Sequence, residues 1–232
     1  MKLEEISAYL LKGRIVDLSK KVNPGGADGA VGAPRRKYEI EQFTFPPGEL
    51  MHNIVMESHI STHVEAPSHF VPVLHGRDAE DVSEVALEKF FGMGMLINCK
   101  DMAPKTAMGP EILSQFDIRQ GDIVLIGNSP HKGEDRPWLT PEGTEYIYNK
   151  KIKMIGFDDS VYVERPEVSR KYLDKYIVHD LFLSSGVPVI EQMAHLGDLR
   201  KPRFFFMGIP ARMGGLESFP IRAVAIEDPE GV

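Results

Sequence analysis

Between Ser58 and Phe70 the chain reads His59-Ile60-Ser61-Thr62-His63-Val64-Glu65-Ala66-Pro67-Ser68-His69-Phe70, and this stretch restricts the backbone strongly. A helix fails: at about 100° per residue Glu65 would point roughly opposite His63. Pro67 also opposes helix and biases Ala66 toward extended backbone. In an extended chain positions 59, 63, 65 and 69 share one parity and project to the same side. A straight strand fails as well, because at ~3.3 Å per residue His59 and His63 stand too far apart to grip one ion. The chain must therefore bend near Ser61-Thr62, leaving a strand end and a loop that gather the side chains. Three of the eight histidines fall here beside one carboxylate, with no lysine or arginine between them. Imidazole and carboxylate are donors for divalent metals. The segment reads as a metal site, against the plainer alternative of a histidine-rich loop.

Length and composition set the bounds. The 232 residues, 42% apolar and 26% charged, suit one soluble domain spanning 1–232. A net charge of −7 without a basic stripe excludes nucleic acid as the main partner. Arg35-Arg36-Lys37 reads as a solvated loop. The one cysteine, Cys99, follows the apolar run Met93–Asn98 and reads as a buried strand thiol rather than a nucleophile. Met1–Ile6 has no signal-peptide character, and no apolar run approaches the ~20 residues that span a bilayer. A cytoplasmic enzyme acting on a small molecule, without membrane contact, is the expectation.

Strands are expected at Arg14–Ser19, Tyr38–Phe45, Asn53–His59, Met93–Cys99, Asp122–Ile126, Lys153–Phe157, Val187–Glu191, Arg203–Ile209 and Ile221–Ile226. Gly109-Pro110-Glu111 opens one helix and Thr140-Pro141-Glu142 another, with proline at the first helical position. A third helix is expected within Pro166–Ser185, from Tyr172, Leu173, Tyr176, Ile177 and Leu181, with Gly186 as its stop. Asn23–Pro34, including the Gly25–Gly32 stretch, reads as a mobile loop. The mixture is α/β or α+β in one domain.

A second candidate pair is His179, on the third helix, and Glu191, ending the strand Val187–Glu191. A carboxylate closing a buried strand lies where α/β proteins assemble sites. Taken alone, the pair also reads as an ordinary helix histidine and a solvated glutamate. His52, His75, His131 and His195 read as surface or packing residues; His131, in Asn128–Gly133, is the one that could border a pocket. Arg222 reads as a structural partner of a carboxylate, and the methionines as core filler.

The His59–Phe70 segment resembles the signature of the cyclase-like metal-dependent hydrolases, which include bacterial kynurenine formamidase and isatin hydrolase. Their motif is written H-x-G-T-H-x-D-x-P-x-H-F. Asp17-Leu18-Ser19, Ile155–Val161, His179–Glu191, Pro210 and Phe219–Val224 resemble further blocks of that family. The resemblance implies a swivelling β/β/α layered fold with a mixed sheet, assembled as a homodimer or homotetramer, with neighbours completing the pocket. It implies that His59, His63 and Glu65 hold a first divalent metal, zinc or manganese. Glu65, His179 and Glu191 would hold a second, and His69 would be the catalytic proton donor and acceptor.

Three departures stand out. Glu65 replaces the usual Asp, which could shift the bridge or leave one ion. Ser61 replaces the usual glycine, so the bend relies less easily on positive φ. The only tryptophan is Trp138, whereas kynurenine formamidases present one from the N-terminal region, so kynurenine formamide is not the favoured substrate. The implied reaction is hydrolysis of a C–N bond in an amide, formamide or cyclic amide. The metal would acidify water toward pKa ~7 and polarise the carbonyl, and His69 would pass a proton to the departing amine. The rival readings are a metal-dependent lyase, cyclase or dehydratase, and a non-catalytic metal-binding homologue.

Overall fold

The computed structural model describes residues 2–25, 37–74, 76–165 and 177–229. The glycine loop beyond Gly25, Arg35-Arg36, His75 and the first half of the helix expected within Pro166–Ser185 lie outside the described residues. So do Tyr172, Leu173 and Tyr176 of that helix's pattern.

The chain opens with α1 (Leu3–Lys12), followed by β1 (Arg14–Asp17). Then come β2 (Tyr38–Phe45), β3 (Glu49–Met56), β4 (His63–Glu65) and β5 (Phe91–Asn98). α2 (Pro110–Leu113) precedes β6 (Ile123–Gly127), and α3 (Pro141–Asn149) precedes β7 (Met154–Asp158). α4 (Ile177–Leu183), β8 (Val189–Met193), β9 (Arg203–Met207), β10 (Ser218–Pro220) and β11 (Val224–Glu227) complete the order.

Among the described residues one nine-stranded mixed sheet runs β1-β11-β9-β5-β6-β7-β8-β4-β10. Its middle, β5 to β8, is parallel. Both flanks are antiparallel. Parallel strands are covered on both faces and read as continuous apolar runs, and Ile123-Val124-Leu125-Ile126 in β6 is fully buried. Ile123 and Leu125 face one core, with Val64, Ile190, Phe204 and Ala223. Val124 and Ile126 face the other, with Phe157 of β7 and with Leu113, Ile147 and Phe182 from the helices. The sheet curls round the first core, because β10, at one end of the strand order, is followed in the chain by β11, second from the other end. The Leu18 amide donates to the Ala223 carbonyl at 2.8 Å, the Ala194 amide to Leu18 at 2.9 Å, and the Ile221 amide to Thr62 at 2.9 Å. This mixed α/β arrangement, helices on one face and a curled sheet on the other, is the expected layered class.

Several boundaries differ from expectation for physical reasons. The strand expected at Asn53–His59 lies at Glu49–Met56, because a tight turn through Pro46-Pro47-Gly48 pairs Phe45 with Glu49. His59 is thereby left outside any strand. Ile221–Ile226 is divided: Ile221–Ala223 join β10 to β11 where the sheet curls. α1 was not expected, although Glu4 and Glu5 in its first turn and Lys12 in its last suit the helix dipole. The Glu5 carboxylate also accepts from the Lys2 amide at 2.8 Å. The proline-led helices form where expected. Thr140 caps α3 by accepting from the Gly143 amide at 3.0 Å, while α2 is a single turn. Gly186, at φ 73°, follows α4, and the Val187 amide reaches back to Phe182 at 2.8 Å, which is a glycine C-terminal stop.

Cys99 is buried, and burial pushes its thiol up to about 12, which excludes an activated nucleophile. Arg222 pairs with the Asp17 carboxylate, as its reading anticipated.

Candidate metal centre

β4 lies between β8 and β10, with His63 directly opposite Glu191 and Glu65 opposite Val189. Alternation sends Val64 into the core and turns His63 and Glu65 to the other side, both fully buried. Only these two members of the first cluster share a strand. His59 sits in the turn before it, and His69 ends a 3-10 turn, Pro67–His69. A strand end and flanking turns thus gather the four residues, as the expected bend requires.

The bend falls at Ser61-Thr62. Ser61 has φ 62°, so the turn does use positive φ although serine adopts it less easily than glycine. The Ser61 hydroxyl donates to the Lys20 carbonyl, and the Thr62 hydroxyl donates to the Gln192 carbonyl at 2.7 Å. The Lys20 amide in turn donates to Thr62 at 2.9 Å. These bonds fasten the bend to β8 and to the chain leaving β1, and they bring His59 Nδ1 to 3.2 Å from His63 Nε2.

The two distant stretches meet. Glu65 Oε1 lies 3.1 Å from His59 Nδ1, 3.6 Å from His63 Nε2 and 3.6 Å from His69 Nε2. Its other oxygen, Oε2, lies 3.2 Å from His179 Nε2. Glu191 Oε1 is 3.3 Å from His179 Nε2, and Oε2 is 4.0 Å from His63 Nε2. Glu191 occupies the middle of β8 rather than the end of its strand, which corrects its expected placement. All six sequence candidates, His59, His63, Glu65, His69, His179 and Glu191, are thus in one cluster. Every one except His63 lines a cavity of about 500 Å³, together with Phe70, Val163 and Glu164.

Two acidic residues escaped the sequence reading. Glu164 Oε1 lies 3.1 Å from His179 Nδ1, and its carboxylate accepts the Ile177, Val178 and His179 amides at the start of α4. Glu217 Oε1 lies 3.0 Å from His59 Nε2. No local pattern marks either; only the fold brings them to the rings. His131 is not in the cavity lining, and its Nε2 bonds the Met102 carbonyl at 2.8 Å. His195 is exposed beside Asp198.

The electrostatics follow from crowding. Burial opposes charge on Glu65, yet His179, His59 and His63 outweigh it and hold the carboxyl well below its ordinary range. Burial likewise opposes charge on His63 and His179. Glu65 overcomes it at His63, and Glu164, Glu191 and Glu65 overcome it at His179, so both imidazoles are raised. His69 goes the other way: burial lowers it, and Glu65 does not compensate.

A divalent cation fits this donor set. Glu65 Oε2 is buried and makes no well-formed hydrogen bond among the described residues, facing His179 Nε2 at 3.2 Å, and a cation between the two would satisfy both. Each of three imidazoles turns one nitrogen to the cluster and the other to an oxygen acceptor. His63 Nδ1 donates to the Ser61 carbonyl at 2.8 Å, His179 Nδ1 faces Glu164, and His59 Nε2 faces Glu217. Metal-binding histidines are oriented in this way.

Residues 8–161 match the family model described as putative cyclase, and the chain belongs to that family. It is 22% identical over 215 residues to kynurenine formamidase of Bacillus cereus, covering 90% of this chain and 95% of that one. Isatin hydrolase A from Labrenzia aggregata superimposes with a TM-score of 0.78 at 22% identity, over 97% of this chain and 99% of that chain. A structure described as a predicted metal-dependent hydrolase from Bacillus stearothermophilus gives 0.70 at 20% identity, over 92% and 98%.

Proposed function

We propose that the chain, as one domain over 1–232, is a metal-dependent hydrolase of a C–N bond in a small amide, formamide or cyclic amide. The observation that carries this is the convergence of His59, His63, His69 and Glu65 with His179 and Glu191 around the shared Glu65 carboxylate. The names of its relatives, a formamidase and an isatin hydrolase, point to the same bond.

His59, His63 and Glu65 would hold one ion, zinc or manganese, and Glu65, His179 and Glu191 a second. Supporting two ions rather than one, Glu65 turns Oε1 to the first histidines and Oε2 to His179. Glu191 likewise reaches toward both His179 and His63. The extra methylene of Glu65 is thus compatible with a bridging role. A bound divalent cation supplies Lewis-acid polarisation of a carbonyl and acidifies water.

His69 is suited to the proton transfer. Its Nε2 faces the cluster, its ring forms no hydrogen bond among the described residues, and burial lowers its pKa, favouring the neutral form. It can accept a proton at Nε2 and deliver it to the departing nitrogen. Phe70 and Val163 supply apolar wall to the cavity, suiting a substrate with a planar or apolar body. Trp138 is not among the described lining residues; it stacks beneath the Arg165 guanidinium at 3.9 Å, which keeps kynurenine formamide out of favour.

The proposed assembly is a homodimer or homotetramer, supported by the β2–β3 ribbon. Its residues are exposed apart from half-buried Tyr38, and apolar side chains occupy both faces. Contiguous exposed apolar surface of this kind is normally covered by a partner. The proposed compartment is the cytoplasm, where a lone thiol stays reduced. Among the described residues no helix is long and apolar enough to cross a membrane.

A screen of arylformamides and lactams, with zinc and manganese added separately, tests the reaction. Metal-restored hydrolysis is expected after chelation. His69→Ala should keep its metal content while losing 10²-fold or more in kcat, on the order expected for general acid–base catalysis. Turnover indifferent to chelators, or unaffected by His69→Ala, contradicts the reading.

A further inference from the structure

We propose that Glu217 is a positioning residue for His59: its carboxylate accepts a hydrogen bond from Nε2–H and so leaves Nδ1 bare toward the cation cluster. The inference rests on the metal-centre reading above and extends it to a residue outside the ligand set.

His59 differs from its neighbours. His63 and His179 present Nε2 to the cluster and tie down Nδ1, whereas His59 presents Nδ1, 3.1 Å from Glu65 Oε1. The two nitrogens of an imidazole diverge, so one ring cannot offer both to the same ion. Which nitrogen is bare depends on the acceptor at the other. For His59 that acceptor is Glu217 Oε1, at 3.0 Å from Nε2.

Glu217 is itself held in place. The Ser58 hydroxyl donates to the same oxygen at 2.6 Å. The Glu217 carbonyl accepts the Ala66 amide at 2.8 Å, locking its backbone against the end of β4. The Ser218 hydroxyl donates to the Ser58 carbonyl at 3.4 Å, closing a small network around the residue before His59. His59, His69 and Glu217 could also be grouped as three ligands of one ion, since their donor atoms lie within 4.8 Å. If His59 Nε2 were a ligand, the ring proton would sit on Nδ1 facing Glu65, whereas the positioning role puts it on Nε2 facing Glu217, so the His59 tautomer separates the two readings. The Glu217 side chain is 36% exposed, so removing it opens no core cavity.

The test compares wild type, Glu217→Ala and Glu217→Gln by chelator competition for zinc alone, alongside the unfolding midpoint of the metal-free proteins. Glu217→Ala should weaken zinc binding about 10–100-fold with the metal-free midpoint unchanged. Glu217→Gln should bind close to wild type, because its amide oxygen still accepts from Nε2. Nitrogen-15 spectra of the histidines should show the His59 proton on Nε2 in wild type and a mixture of tautomers in Glu217→Ala. Equal zinc affinity in wild type and Glu217→Ala overturns this inference alone. Equal damage in both variants also overturns it, because charge rather than hydrogen-bond acceptance would then be at work. Wild-type protein that takes up no zinc overturns the metal-centre reading and this inference with it.

Discussion

Ser61 carries a conformation that serine rarely adopts. Its φ of 62° lies in the left-handed region, which costs an L-residue roughly 1–2 kcal/mol. The bond from its hydroxyl to the Lys20 carbonyl returns about 1 kcal/mol. Ser61→Gly removes both terms and should leave the urea midpoint nearly unchanged, within about 1 kcal/mol. Ser61→Val keeps the strain, adds a branched Cβ and loses the bond, so it should cost about 2–3 kcal/mol. A valine variant as stable as wild type would show that the turn is not held by this residue. The donors themselves were legible because imidazoles and a carboxylate at this density have few other uses. Glu217 and Glu164 were not legible, since a carboxylate that orients a histidine looks in sequence like any surface acid.

At the scale of elements, the turn-forming residues made the chain readable and tertiary pairing made it less so. Thr140-Pro141 and Gly186 mark helix ends through their own backbone chemistry, and α3 and α4 begin and end accordingly. β3 is displaced from its expected span because its register is set by the turn to β2, not by its own composition. β4 has only three residues and is defined by β8 and β10 on either side, so no periodicity could announce it. The β2–β3 ribbon yields a prediction of its own. Ile40 faces Ile54 across the pair, and Leu50 lies on the same side opposite Thr44. A two-stranded ribbon is marginal in water without cover. Replacing Ile40, Leu50 and Ile54 by lysine should convert a dimer to monomer in sedimentation velocity while the body stays folded. Unchanged sedimentation would rule out this ribbon as the interface.

For the whole molecule, the parallel centre is the rigid frame and the curl is what assembles the site. The mixture of short strands with proline-led helices marks an α/β or α+β domain in the sequence, and the layered arrangement is what the resemblance to the cyclase-like hydrolases implies. The curl was hidden, because it depends on chain segments far apart in sequence: Leu18 against Ala223, and Thr62 against Ile221. That same curl sets β4 beside β8 and next to the start of α4, so that Glu65 reaches His179 and His63 lies opposite Glu191. The central claim is that one buried carboxylate joins two halves of the chain around bound cations. A crystal of protein grown with zinc and measured at the zinc absorption edge tests it most directly. The account predicts anomalous peaks within bonding distance of Glu65, one sharing His59 and His63 and the other sharing His179 and Glu191. Peaks found only elsewhere on the protein, or no peak at Glu65, would contradict it.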